Sequence, residues 1–199
     1  MSETASNRRE EVTRLLAQCQ QLCAEGRYAE ALQHSQDALT LDRQNDDACF
    51  LQGLTLFLLG RLEEADAVIG TLLDRRPDYP NAAYLRAGML RKRAGDHAPE
   101  VLAAYDRTLA VDPDNRFALC ERADVLRAQG RYAEARDIYM QLTSPEFCPD
   151  EALRTEATFN LGCVAMVLQD NETARKAFRA VLDADPDYPD ARSLLALVE

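Results

Sequence analysis

The sequence has few residues suited to catalysis. Among its 199 residues there are two histidines, His34 and His97. Neither has a nucleophile or carboxylate partner at the spacing of a proton-transfer pair, and both read as surface residues. GxGxxG, P-loop, GxSxG and HExxH patterns do not occur. Paired carboxylates are common in so acidic a chain and identify nothing. These absences argue against an enzyme: no catalytic residue and no cofactor site can be named.

Basic charge is scarce. Lys and Arg total 23 against 34 Asp and Glu, a net charge of −11. Nucleic-acid binding needs a basic footprint, so no nucleic-acid partner is expected. The same charge repels anionic membranes. The longest apolar run, Ala48 to Leu59, is broken by Gln52, Gly53 and Thr55 and is too short to span a bilayer. The opening MSETASNRRE is polar, with no apolar signal core behind it. The six cysteines, at 19, 23, 49, 120, 148 and 163, form no CxxC, and their irregular spacing suggests reduced thiols in a cytoplasmic protein. Cys19 and Cys23 share a helical face that His34 could pack across. Three ligands without a fourth make a weak metal site, whereas cysteine serves well as a small core residue, so no metal is expected. Glycine and proline, eight each, sit mostly at turns, and 47% hydrophobic content suffices for a core.

The informative feature is a repeat, clearest from Thr155 to Tyr188. Phe159, Leu161, Val164 and Leu168 recur at helical spacing, then Ala174, Ala177, Phe178 and Val181. Gln169-Asp170-Asn171 separates the two patterns, and Pro186 ends the second, since proline lacks an N–H and disfavours α geometry in the residue before it. Helix, turn and helix in about 34 residues is the period of tetratricopeptide repeats. Leu161-Gly162, Ala174, Phe178 and Pro186 carry a close resemblance to that family. Small residues at 162 and 174 let two helices pack closely.

The rest of the chain fits the same register. Ala31 to Ala65 is 34 residues, and Gly26-Arg27-Tyr28-Ala29-Glu30-Ala31 nearly recurs as Gly130-Arg131-Tyr132-Ala133-Glu134-Ala135. Pro77 to Pro113 is 36 residues, which places two extra residues around 94–99. Ala135 to Ala174 is 39, which makes 145–154 a longer connector. The expected organisation is a leader over 1–11, or the start of the first helix, followed by one domain over 12–199. Its repeats lie at about 12–45, 46–79, 80–115, 116–149 and 155–188, with a capping helix at 189–199. The resemblance implies an all-α, right-handed superhelical solenoid of antiparallel helix pairs.

In this family the first helix of each repeat lines a concave groove that binds peptides. Carried onto this sequence, the groove residues are Phe50, Leu54, Phe57, Tyr84, Arg91, Lys92, Phe117, Arg127 and Phe159. Cys120 and Cys163 would face it from neighbouring repeats. The family's co-chaperone members hold a C-terminal carboxylate with Lys, Asn and Arg at set positions. Those positions here read Leu16, Gln20, Leu51, Asn81 and Leu85, or one repeat later Phe50, Leu54, Leu85, Phe117 and Glu121, and neither set forms that clamp. The implied function is a non-catalytic adaptor. Its partner is another protein, held through an extended or helical segment with apolar and acidic residues. The alternative is a self-associating scaffold, a homo-oligomer of this chain.

Overall fold

The computed structural model describes residues 2–199, with side chains from residue 6 onward; Met1 and the side chains of residues 1–5 lie outside the described residues. Among these the chain is all α-helix, with eleven helices and no strand. The helices form two compact units, Met1–Arg93 and Ala94–Glu199. The first holds α1 (Ser2–Ala24), α2 (Tyr28–Leu41), α3 (Asp46–Leu58), α4 (Leu62–Arg75) and nearly all of α5 (Pro80–Ala94). The second holds α6 (Pro99–Val111), α7 (Arg116–Ala128), α8 (Tyr132–Leu142), α9 (Glu151–Val167), α10 (Asn171–Ala184) and α11 (Ala191–Val198).

The turns after α1, α3, α7 and α9 close with the same local chemistry. At the end of α3, Gly60 takes a left-handed φ of 76°. Its N–H bonds the Phe57 carbonyl while the Arg61 N–H reaches back to Leu56. These two bonds satisfy carbonyls that the helix end would otherwise leave unpaired. The same pair of bonds closes α7 at Gly130 and α9 at Gln169. Gln169 holds a φ of 61° without glycine's freedom. After the turn, Arg61 makes a two-pronged ion pair with Glu64, at 2.7 and 2.6 Å, and Arg131 does the same with Glu134. Helix starts are capped by side chains: Asn45, Asn115 and Asp150 each accept the backbone N–H three residues on, at 2.9 Å.

The two helices of a pair interlock small against large. A methyl at Gly53 would lie 2.5 Å from the Ile69 side chain, and one at Gly162 would lie 2.6 Å from the Phe178 ring. Ile69 and Phe178 are fully buried, as is Tyr139. In the first unit, buried residues of α2, α3, α4 and α5 join in one cluster around Ile69, Leu72 and Leu85. In the second, Leu126, Tyr139, Leu142 and Leu161 centre a cluster drawn from α7, α8 and α9.

Of the two alternatives for the first residues the structure shows the start of the first helix, and two other sequence expectations meet different geometry. Residues 2–11 are the first turns of α1, because nothing in that stretch breaks a helix. The two extra residues of the third repeat do not all lie in the turn: α5 has 15 residues where α3 has 13, and a four-residue link, Gly95 to Ala98, leads to Pro99 in the first turn of α6. The connector of the fourth repeat ends at Asp150 rather than 154. Asp150 caps α9, so Glu151 to Arg154 are already helical. This connector is tied down: Arg116 donates to the Phe147 carbonyl at 2.7 Å, Arg154 donates to the Cys148 carbonyl at 2.9 Å, and Cys148 is buried.

Substitutions at three positions test this packing. Gly162→Ala is expected to destabilise the chain by about 1–2 kcal/mol, since overpacking outweighs the helix-propensity gain. Gly88→Ala, with nothing within 4 Å of the added methyl, is expected to stabilise it by about 0.5–1 kcal/mol. Thermal unfolding of the two variants gives both signs. Gln169→Gly is expected to add about 0.5–1 kcal/mol by relieving left-handed strain, measured as a raised urea midpoint at unchanged slope.

Candidate functional site

In the first unit the first helices are α1, α3 and α5, and α1 touches α3 directly. On α3, Phe50, Leu54 and Phe57 are half-buried, packed at the margin of the core cluster. The Phe50 ring lies 5.6 Å from that of Tyr79, whose hydroxyl donates to Asp47 Oδ1 at 2.7 Å. Burial, then this bond to a carboxylate, pushes the Tyr79 phenol up. Phe57 carries the Lys92 ammonium 5.3 Å from its ring centroid, a cation–π contact. Tyr84 and Arg91, also on α5, are half-buried, while Lys92 is exposed. Arg91, Lys92 and Arg93 occupy the last turn of α5, where the helix dipole favours positive charge. Arg93 also lies 4.0 Å from Asp66, which Arg86 approaches at 3.2 Å.

In the second unit α7 and α9 are neighbouring first helices. Phe159 is half-buried between Phe178, 5.8 Å away, and Tyr188, 4.9 Å away. Phe117, by contrast, is 53% exposed. The Arg127 side chain is 41% exposed and lies 3.6 Å from Asp124. That carboxylate also accepts from Tyr139 Oη at 2.6 Å and Asn160 Nδ2 at 3.4 Å. An open cleft of about 250 Å³ lies between α7 and the start of α9. Its lining is Phe117, Cys120, Glu121, Asp124, Asp150, Ala152, Leu153 and Glu156. Four of these eight are carboxylates and none is basic. Burial, then Asp124 and Glu121, pushes the Glu156 carboxyl up. Burial, then Asp124, Glu156 and Glu121, pushes the Cys120 thiol up.

The structure thus joins Phe57 to Lys92 and leaves Phe117 open. It gives Phe50 and Phe159 tyrosine partners that sequence reasoning missed. A signal for them was present: Pro77-Asp78-Tyr79 and Pro186-Asp187-Tyr188 repeat one tripeptide, and each tyrosine follows its phenylalanine by 29 residues. The acidic cleft was missed because Asp150 lies in the irregular connector, outside the repeat register.

Among the described residues all six thiols are free. Cys19 and Cys23 approach Thr55 Oγ1 at 4.0 and 3.6 Å. Burial, then the neighbouring Cys23, pushes the Cys19 thiol up to about 11. His34 does not complete a ligand set with them: no three His, Cys, Asp or Glu side chains among the described residues are placed to hold a metal ion. Cys120 belongs to the cluster around Tyr139, whereas Cys163 packs at the edge of the cluster around Phe178. No described helix is long and apolar enough to cross a membrane.

Comparison with known proteins agrees with this geometry. Family profiles described as tetratricopeptide repeat match residues 22–88 and, in a second profile, 102–146 and 159–199. Cellulose synthase operon protein C of Pseudomonas fluorescens (strain SBW25) is 27% identical over 140 residues, 69% of this chain. The chain spans only 11% of that relative's length. A thermophilic TPR protein of Thermus thermophilus superposes with a TM-score of 0.68 at 20% identity, covering 94% of this chain and 98% of its own. YrrB, described as a TPR protein with an unusual peptide-binding site, gives a TM-score of 0.66 at 18% identity, covering 96% of this chain and 95% of its own. With two profiles of one family matching most of the chain, and with turns, caps and small-against-large helix pairs recurring along it, the chain belongs to the tetratricopeptide-repeat family.

Proposed function

We propose that the chain is a non-catalytic, cytoplasmic adaptor that holds a segment of another protein against the faces of its first helices. The family's general role in protein interaction supports this. The observation that carries the finer reading is Lys92 seated on the Phe57 ring. Beside it lie the half-buried Phe50 and Leu54. An apolar strip edged by cations suits an extended or helical segment with apolar and acidic residues: the apolar side chains give area and the carboxylates give specificity. Phe50 also packs on Tyr79, so truncating it would perturb the fold, and charge reversal on α5 is the cleaner probe.

A labelled peptide of alternating leucine and glutamate, followed by fluorescence anisotropy at two salt concentrations, tests this reading. The double change Arg91→Glu and Lys92→Glu is expected to weaken binding about tenfold and to flatten its salt dependence. Unchanged affinity in a variant with native circular dichroism removes this face as the binding surface.

One observation favours the second reading, self-association as a scaffold. On α11, Ala191 and Val198 are buried while Leu197 is 72% exposed. Under this reading the mass in sedimentation velocity rises with concentration, and Leu197→Glu holds the chain at monomer mass. A constant mass for the unaltered chain rules it out.

A further inference from the structure

Two glycines inside helices have open space where a side chain would be. A methyl at Gly53 or Gly162 would strike a buried side chain, whereas one at Gly70 on α4 or Gly88 on α5 would meet no atom within 4 Å. Glycine weakens a helix relative to alanine, so its place within one calls for a close approach to the backbone. Packing supplies that approach at Gly53 and Gly162. At Gly88 nothing in the fold does.

Gly88 lies on the first-helix face, with Tyr84 one turn before it and Lys92 one turn after it on the same side of α5. The same register place in the other four repeats holds Gln20, Leu54, Asp124 and Cys163, each with a side chain. The third repeat therefore has a notch one side chain deep. Its surroundings are apolar: Leu54, the counterpart on α3, and Phe57 are half-buried against the cluster that holds Leu85 and Met89. One end is cationic, where the Lys92 ammonium lies over the Phe57 ring. Gly70 differs on both counts, since it lies on a second helix and Asp66 and Asp74 stand one turn to either side.

We propose that the Gly88 notch takes a leucine-sized aliphatic side chain from an extended segment of a partner protein, with a carboxylate two residues away on that segment meeting Lys92. The inference rests on the adaptor reading and adds the place and spacing of the anchor. The missing side chain gives depth, Leu54 and Phe57 give apolar contact, and Lys92 selects an acid at a fixed distance. Gly88 and Lys92 are about 6 Å apart along the helix axis. Alternate side chains of an extended chain are about 6.7 Å apart and point the same way. A leucine in the notch thus brings the residue two positions on level with Lys92, while a lysine or arginine there is repelled.

The test uses the full chain and labelled, acetylated and amidated peptides, followed by fluorescence anisotropy. The probe is Gly-Ser-Leu-Ser-Glu-Ser-Gly. One comparison replaces its leucine with alanine, and another moves its glutamate next to the leucine. The unaltered chain is expected to bind the probe about tenfold tighter than the alanine version. The moved glutamate is expected to cost about threefold, since its carboxylate then points away from Lys92; equal affinity overturns the pairing. Gly88→Leu fills the notch and is expected to erase the preference for leucine over alanine, whereas Gly70→Leu, an equal addition at an open site, keeps it. If Gly88→Leu misfolds by circular dichroism, Gly88→Ala decides instead: it is expected to raise thermal stability yet narrow the preference about threefold. A preference that persists undiminished in the Gly88 variants, or is lost equally in Gly70→Leu, overturns the notch. If it persists while Arg91→Glu with Lys92→Glu still weakens the probe, the notch falls and the adaptor face stands. If neither change alters binding, the face falls as well.

Discussion

Close approach of the two helices within each repeat is the constraint on which the structure depends. In the second and fifth repeats it is set by a missing side chain: Gly162 leaves the space that the Phe178 ring fills, and Gly53 does the same for Ile69. Protein interiors are packed to crystal-like density, so a methyl at such a contact displaces its neighbour. The glycines carry a helix-propensity cost, and the buried ring or branched chain opposite more than offsets it. In the third repeat the buried Ala87 stands 34 residues after Gly53.

With the pairs interlocked, the turns have little latitude. Each must reverse the chain within a few residues and satisfy the last carbonyls of one helix and the first N–H groups of the next. Left-handed backbone at Gly60, Gly130 and Gln169 does the first, and Asn45, Asn115 and Asp150 do the second for the first helices. The Arg61–Glu64 and Arg131–Glu134 forks then bracket the starts of the second helices. Using arginine in these forks leaves fewer cations for the rest of an acidic surface. Where first-helix faces do carry positive charge, it is concentrated at the last turn of α5.

The two units consequently present different chemistry on first helices built to one plan. In the first, aromatic and leucine side chains lie beside a lysine stacked on phenylalanine. In the second, an open phenylalanine borders four carboxylates, and Arg127 lies beside one of them, Asp124.

The repeat period, the all-α class, the turn glycines and the small residues at 162 and 174 were legible in the chain. They are local or strictly periodic features, and backbone sterics act on them within one repeat. Two kinds of fact needed the tertiary structure. One is how side chains distant in sequence pair: that Phe50 and Phe159 are held by Tyr79 and Tyr188, that Lys92 sits on Phe57, and that Tyr139 and Asn160 converge with Arg127 on Asp124. Groove position does not reveal these pairings, since a side chain's partner depends on which neighbour is within reach after packing. The other is where the register breaks. The sequence shows that residues are inserted after Leu142, but only packing brings Asp150 beside Glu121 and Glu156 and so turns a connector into one wall of an acidic cleft.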